Sequence, residues 1–285
     1  MKRDRRLFDV TLNAPSLFIV LSVIVFPILF LGLLSLKGRH DAVFSLHFTL
    51  ANFTKLATSH LYWLILERSV FLAGFVTVFT ILMAYPVAYF IAFKGGAKKN
   101  LLLLIVTLPF WTSYLLRVFA WKVLLGYNGV INSALVLAQA PGAPFQALLY
   151  TPQAMVLTLT HAYAAFAILP LYVSLSAIEP KLIEAANDLG AGTATAFRRV
   201  VLPLSLPGIL SAAVLVFIPT MGDYATPTLV GGTNSSMIGN MIQAQFGKAN
   251  NWPYGAAISI SSMVITAGIA FIVFMVAKRK MRHAA

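Results

Sequence analysis

The chain contains several long apolar runs without charged residues, and each is close to the length needed to cross a bilayer. A helix rises about 1.5 Å per residue, so about 20 residues are needed to cross about 30 Å of hydrocarbon. Six runs meet or approach this length: Pro15–Leu36, Ser69–Phe93, Leu101–Leu116, Pro152–Ile178, Leu204–Gly222 and Gly255–Ala277. The pattern therefore predicts an all-α polytopic membrane protein with six transmembrane helices, in which residues 1–285 form a single transmembrane domain.

The third run is the shortest, and Arg117 follows it directly. Its 16 residues are fewer than a full crossing requires. A cationic side chain at this point either extends to the membrane interface or enters a polar interior. We favour the first alternative, because a long side chain near the end of a span reaches the headgroups.

Composition and charge fit a membrane location. Hydrophobic residues make up 59% of the chain and charged residues only 10%, whereas soluble proteins carry about 25% charged residues. With the N-terminus inside, 14 of the 21 Lys and Arg residues fall on cytoplasmic flanks and 7 on the opposite side. This asymmetry predicts that both termini are cytoplasmic. Because the flanks explain the net charge of +13 and no basic patch with interleaved aromatics lies elsewhere, we exclude nucleic-acid binding.

The sequence contains no enzymatic signature. It has no Walker A motif, no HExxH motif, no carboxylate cluster and no cysteine. We therefore predict that the chain is not an enzyme, with no catalytic residue, no metal and no cofactor. A self-sufficient secondary transporter or channel would carry paired charges inside its spans, and the spans have almost none. A membrane-bound enzyme would need a nucleophile–base pair, and none is evident.

Residues 177–205 form the one long interval between apolar runs that is typical of a structured cytoplasmic element. We predict a short helix over Lys181–Leu189, which ends at Gly190 because glycine adopts positive φ without a Cβ clash. A second helical piece is predicted over Thr193–Val201, ending before Pro203.

The same interval resembles the cytoplasmic EAA loop of permease subunits in ABC-type importers. The residues that carry the resemblance are, in order, Glu184, Ala185, Ala186, Gly190, Val200, Leu202 and Pro203. Val200 stands where the family pattern usually has isoleucine. The resemblance implies that this loop forms a coupling helix that docks into a groove of an ATP-hydrolysing subunit. All of these residues except Val200 are then candidates for coupling to the ATPase.

Three further stretches are similar to permeases of spermidine and putrescine importers: Leu108–Ser113 with Arg117 and Trp121, Leu202–Gly208, and Met237–Asn240 with Gln245, Phe246 and Trp252–Gly255. The likeness implies a type I ABC importer permease in the bacterial inner membrane, with a polyamine as solute. It also implies three kinds of partner: a second homologous permease, two ABC ATPase subunits and an extracytoplasmic solute-binding protein. An amino-acid-like or opine-like solute remains an alternative for the same architecture.

Five residues are candidates for a substrate pathway: Trp111, Arg117, His161, Asp223 and Tyr224. A carboxylate at position 223 beside an aromatic ring would suit an alkylammonium ligand through ion pairing and cation–π contact. The alternatives for Asp223 are a hydrated helix end or a pair with Arg117 or Lys122. His161 lies within the fourth run, where a polar ring normally finds a hydrogen-bond partner. We favour that structural role for His161 over a pathway role. Many relatives have a proline and an aromatic residue in this run, where the chain has Ala165 and His161.

Overall fold

The computed structural model describes residues 2–39, 41, 45–145, 148–232 and 235–284, and these residues contain helices and no strand. The α-helices, in chain order, are α1 (Lys2–Ser35), α2 (Ala51–Thr58), α3 (His60–Lys94), α4 (Lys99–Thr107), α5 (Tyr114–Leu125), α6 (Val130–Leu137), α7 (Pro152–Ser176), α8 (Pro180–Asp188), α9 (Thr193–Ala196), α10 (Leu202–Leu204), α11 (Leu206–Met221), α12 (Ile238–Phe246) and α13 (Trp252–Ala284). The predicted all-α class is confirmed.

Four helical segments among the described residues are long and apolar enough to cross a membrane alone: Phe18–Ser35, His60–Lys94, Pro152–Ser176 and Trp252–Val276. Two pairs of helical segments are long and apolar enough only when taken together, and each pair is bent at a break: Gly96–Trp111 with Tyr114–Leu137, and Thr193–Leu204 with Leu206–Met221. When each bent pair is taken as one span, the number of spans is six, as the hydropathy pattern predicts.

The prediction of one continuous helix over Leu101–Leu116 is wrong. After α4 the chain forms a 3₁₀ turn over Leu108–Trp111, and the segments on the two sides of the break differ in direction by 87°. Pro109 explains the break, because proline cannot donate the hydrogen bond that would continue α4 but is tolerated in the first turn of a new helical segment. Arg117 therefore lies in the first turn of α5 rather than at the end of a span.

The helical stretch before the fifth span also differs from the prediction. α9, a π-helical turn over Phe197–Val201 and α10 follow one another without interruption, so the chain remains helical through Pro203. In a regular α-helix the ring of Pro203 would clash with the carbonyl of residue 199. The wider π turn includes that residue and accommodates the ring. The bend of 61° instead falls between Leu204 and Leu206.

The described residues divide into two compact units, Met1–His60 with Met241–Val264 and Leu61–Asn240 with Ile265–Ala285. In the first unit, side chains satisfy carbonyl groups at the end of α1 that have no partner within the helix. The Nδ2 group of Asn52 donates to the carbonyl oxygens of Ser35 and Lys37, at 2.9 and 2.7 Å. The second unit has a core from α3, α7 and α11 that includes Val76, Leu171 and Val216, all fully buried.

The close approach of α7 and α11 within the second unit depends on Gly208. A Cβ atom added there would lie 2.5 Å from Cβ of Ser174 and 2.8 Å from the carbonyl oxygen of Pro170. Both distances are below van der Waals contact, so the two helices meet this closely only because position 208 has no side chain. Small residues have this role widely in helix pairs within membranes.

We predict that Gly208→Ala lowers the thermal unfolding midpoint of the purified chain in detergent, because the added methyl group forces α11 away from α7 at a cost of about 1–3 kcal/mol. Gly74→Ala is the matched control, since a Cβ at Gly74 in α3 meets no atom within 4 Å. Equal midpoints for the two variants would contradict the proposed close contact.

Candidate functional site

Asp223 lies between α11 and the helical turn that follows it, and only 7% of the residue is exposed. Its Oδ1 atom accepts hydrogen bonds from the backbone N–H groups of Ala225 at 3.0 Å and Thr226 at 3.4 Å. Because these N–H groups belong to the first turn of a helical segment, the carboxylate caps its N-terminus. The segment continues into a π-helical turn over Pro227–Gly231.

Tyr114, the first residue of α5, joins this cap to the broken third span. Its phenol donates to Oδ2 of Asp223 at 2.7 Å and lies 2.8 Å from Oγ1 of Thr226. A buried carboxylate costs much free energy unless hydrogen bonds compensate for the lost water, and here two backbone groups and one phenol do so. These contacts match neither a hydrated helix end nor a pair with Arg117 or Lys122.

A row of aromatic rings packs the break in the third span against α7. Tyr114 stacks on Tyr163 with 6.0 Å between the ring centroids, and Tyr163 contacts Phe166 at 6.2 Å. Phe166 then meets Phe110 edge to face at 5.1 Å. The rings therefore form a continuous row from the capped carboxylate to the 3₁₀ turn.

Arg117 folds back onto the turn that precedes its helix. Its guanidinium carbon lies 4.7 Å from the ring centroid of Phe110, and Nη1 donates to the carbonyl oxygen of Pro109 at 2.9 Å. The extension of Arg117 to the membrane interface stays a prediction. The side chain satisfies a carbonyl group at the break, as an interrupted helix requires where no water is available.

His161 has the hydrogen-bond partner that its position predicts. The Nε1–H group of Trp121 donates to Nδ1 of His161 at 3.1 Å, and the two rings meet edge to face with their centroids 5.5 Å apart. Since Nδ1 is the acceptor, the neutral imidazole carries its proton on Nε2. The imidazole lies at the surface of the chain.

Trp111 and Tyr224, the other two pathway candidates, are exposed to 81% and 49%. Tyr224 is held by its backbone, because its carbonyl oxygen accepts from Nδ2 of Asn240 at 2.9 Å. Tyr114 was missed by sequence reasoning, although it directly follows the Leu108–Ser113 stretch. A phenol at the start of a helix that follows a proline-containing break was the available signal.

On the cytoplasmic loop predicted by the sequence, α8 begins and ends one residue before the predicted bounds. Its end is closed by two backbone hydrogen bonds, from Gly190 N–H to the carbonyl oxygen of Asn187 at 2.9 Å and from Ala191 N–H to that of Ala186 at 3.0 Å. Gly190 has a φ of +83°. This geometry is the Schellman motif, and it confirms Gly190 as the residue that ends the helix.

One face of α8 carries an exposed apolar stripe. Leu182, Ala185 and Leu189 are spaced at i, i+3 and i+7, which places them on the same side of a helix; the two leucines are 47% and 89% exposed. Glu184 is also exposed, on another face of the helix, while Ile183 packs against the core of the second unit. An exposed apolar stripe on a polar loop is typical of a surface that binds another protein.

The fold and this loop define a membrane transport subunit, and comparison with known proteins agrees. The chain belongs to the family of binding-protein-dependent transport system inner membrane components, whose profile matches residues 77–282. A secondary transporter and a membrane-bound enzyme are thereby excluded, and the predicted location in an inner membrane is confirmed.

Individual relatives are similar over most of their length. The spermidine/putrescine transport system permease protein PotB of Haemophilus influenzae is 37% identical over 226 residues, which cover 79% of this chain and 78% of the relative. PotB of Escherichia coli is 35% identical over 246 residues, 86% of this chain and 88% of the relative. The fold is similar to that of a bacterial ABC transporter involved in the import of the acidic polysaccharide alginate, with a TM-score of 0.73, 18% identity and coverage of 98% and 96%.

We predict that Tyr114→Phe lowers the thermal unfolding midpoint, because it leaves Oδ2 of Asp223 buried without its donor at a cost of about 1–3 kcal/mol. Asp223→Asn should cost less, since asparagine caps helices nearly as well as aspartate. Tyr127→Phe at an exposed position is the control. A Tyr114→Phe midpoint equal to that of Tyr127→Phe would show that the phenol does not support the cap.

Proposed function

We propose that this chain is one of two membrane-spanning subunits of an ATP-driven importer, and that it forms half of the translocation pathway for a polyamine such as putrescine or spermidine. The observation that carries this proposal is the 37% and 35% identity to two spermidine/putrescine permeases over most of the chain. Its partners would be a second homologous permease, two ATPase subunits and a solute-binding protein. An alginate transporter of similar fold has been seen with a bound periplasmic protein.

In this proposal the chain acts as one transmembrane domain, with both termini and residues 177–205 in the cytoplasm. The support is the distribution of Lys and Arg residues, of which 14 of 21 lie on the side of the N-terminus. The loop then faces the compartment in which ATP is hydrolysed.

The coupling element of the proposal is α8. Its exposed stripe of Leu182, Ala185 and Leu189 offers an apolar surface to a groove in the ATPase. The small side chains of Ala185 and Ala186 allow close approach, and Glu184 adds an exposed charge. Closure of the ATPase pair would displace α8, tilt the spans and switch the cavity from inward-facing to outward-facing.

Leu202 and Pro203 complete the coupling loop. Both are half-buried in the helical stretch that leads into α11. We assign them the role of carrying the displacement of the loop into the fifth span.

The proposed substrate route passes the exposed rings of Trp111 and Tyr224, whose faces suit an alkylammonium group. Asp223 serves this route indirectly, because its buried carboxylate is engaged by the backbone and by Tyr114. Its bonds to the N–H groups of Ala225 and Thr226 fix the backbone of the turn that carries Tyr224. Arg117 is engaged by the ring of Phe110 and the carbonyl oxygen of Pro109, so in this proposal it supports the break in the third span beside the route and does not bind the cationic solute itself. His161 contributes an uncharged polar surface beside Trp121.

The test of the function is uptake of labelled putrescine and spermidine into cells that lack this chain, with and without its restoration. We expect loss of uptake and rescue. Unchanged uptake would contradict the polyamine assignment, and competition by amino-acid-like or opine-like solutes in the restored strain would then identify the alternative class.

Gly190 provides the test of coupling. Gly190→Val forces a β-branched residue into the left-handed region at a cost of about 1–2 kcal/mol and displaces the end of α8. We expect the assembled transporter to keep hydrolysing ATP while polyamine uptake falls. Gly190→Asn should retain uptake, because asparagine tolerates this conformation.

Gly192→Ala is the control for this experiment, since a Cβ there meets no atom within 4 Å and its φ of −66° suits any residue. Normal uptake by Gly190→Val would contradict the coupling role. Loss of uptake in Gly190→Asn as well would show that the ATPase surface tolerates no side chain at this position.

A further inference from the structure

Three aromatic side chains join the start of the π-helical turn to α3. The ring of Phe197 meets that of Tyr85 at 5.8 Å between centroids and an angle of 88°, and that of Tyr89 at 6.0 Å and 72°. Tyr85 and Tyr89 are one helical turn apart, so their rings lie on the same side of α3. We refer to Tyr85, Tyr89 and Phe197 as the aromatic clasp.

A hydrogen bond ties the same helix to the bend in the fifth span. Oγ of Ser205 donates to the carbonyl oxygen of Leu202 at 3.0 Å and lies 2.8 Å from the phenol oxygen of Tyr85. Because the Ser205 proton is used in the first bond, the phenol is the donor in the second. Ser205 is completely buried and stands between α10 and α11. One tyrosine of α3 therefore contacts both ends of the helical stretch from Phe197 to Ser205.

The clasp connects places where the helices are weakened. Pro86 follows Tyr85 directly and removes a backbone donor from α3, while Phe197 begins the π turn and Ser205 marks the bend of 61°. Proline and π-helical turns are the common sites of helix bending. A cleft of about 690 Å³ opens beside the aromatic clasp and leaves the three rings room to shift. The residues that line this cleft include Tyr85, Pro86, Tyr89, Phe197 and Arg198.

We propose that Phe197 is the positioning residue that transmits displacement of α8 to the second membrane span at Pro86. The inference rests on the coupling role proposed for α8. A short connection joins α8 to α9, and Phe197 follows α9 directly, so movement of α8 moves the π turn. The ring of Phe197 bears on two rings of α3, and the displacement therefore reaches the second span as well as the fifth.

The test compares Phe197→Ala, Phe197→Leu and Phe197→Tyr in the assembled transporter, with the solute-binding protein, in proteoliposomes. ATP hydrolysis and uptake of labelled putrescine are measured together. For Phe197→Ala we expect the ATP hydrolysed per solute imported to rise about tenfold, within the usual range of coupling between sites. Phe197→Leu, which retains most of the apolar volume and should fold, is expected to show a smaller rise. Phe197→Tyr keeps the ring and should restore the original ratio.

Phe93→Ala is the matched control, since Phe93 also contacts Tyr89, at 4.8 Å, but belongs to α3 itself. It removes the same volume, and we expect it to leave the ratio of hydrolysis to uptake unchanged. If Phe197 serves packing alone, its variants and Phe93→Ala will lower both activities together, and that result would overturn the inference.

Gly190→Val in the same assay separates the inference from the proposed function. In one outcome, Gly190→Val raises the ATP hydrolysed per solute imported while Phe197→Ala and Phe197→Leu leave that ratio unchanged. This result would overturn the role of Phe197 and leave the proposed function standing. Absence of ATP-dependent putrescine uptake by the unmodified transporter would overturn the proposed function, and the inference with it.

Discussion

Every backbone N–H and C=O group inside the hydrocarbon must find its partner within the protein, because lipid offers none. This constraint makes the spans helical and limits where they break. At the break in the third span, Arg117 bonds the carbonyl of Pro109, and at the C-terminal end of α11 the carboxylate of Asp223 caps the next helical segment. Tyr114 joins the two places through one hydrogen bond. Because hydrogen bonds satisfy the backbone groups at both places, these interruptions are part of the native fold.

The sequence predicts the number of spans and the end of α8, because these depend on local properties, namely run length and the positive φ of Gly190. It does not predict the direction of the chain after Pro109, since hydropathy reports contact with lipid and says nothing of orientation. The helical stretch continues past Pro203 because a π-helical turn precedes this proline. No residue pattern in the sequence predicts that turn. The partner of Asp223 lies 109 positions earlier in the chain, so no spacing rule connects them.

The surroundings of Asp223 and those of α8 differ in burial and hydrogen bonding. Around Asp223 three hydrogen bonds of 2.7 to 3.4 Å hold a buried carboxylate, and the aromatic row packs the neighbouring break. Around α8 the surface is exposed and apolar, and the adjoining helix contains a π turn and an open cleft. We therefore assign movement to the loop and rigidity to the region of Asp223. The fold recurs in a transporter only 18% identical, so the architecture alone does not specify a solute.

The most direct test of the account is uptake of labelled spermidine by proteoliposomes that contain this chain, its second permease and the ATPase subunits, supplied with the solute-binding protein. The account predicts that uptake requires ATP hydrolysis and persists when ionophores remove all ion gradients. Uptake that continues without ATP and stops when the gradients are removed would contradict it, because the chain would then draw its energy from ions rather than from a partner that hydrolyses ATP.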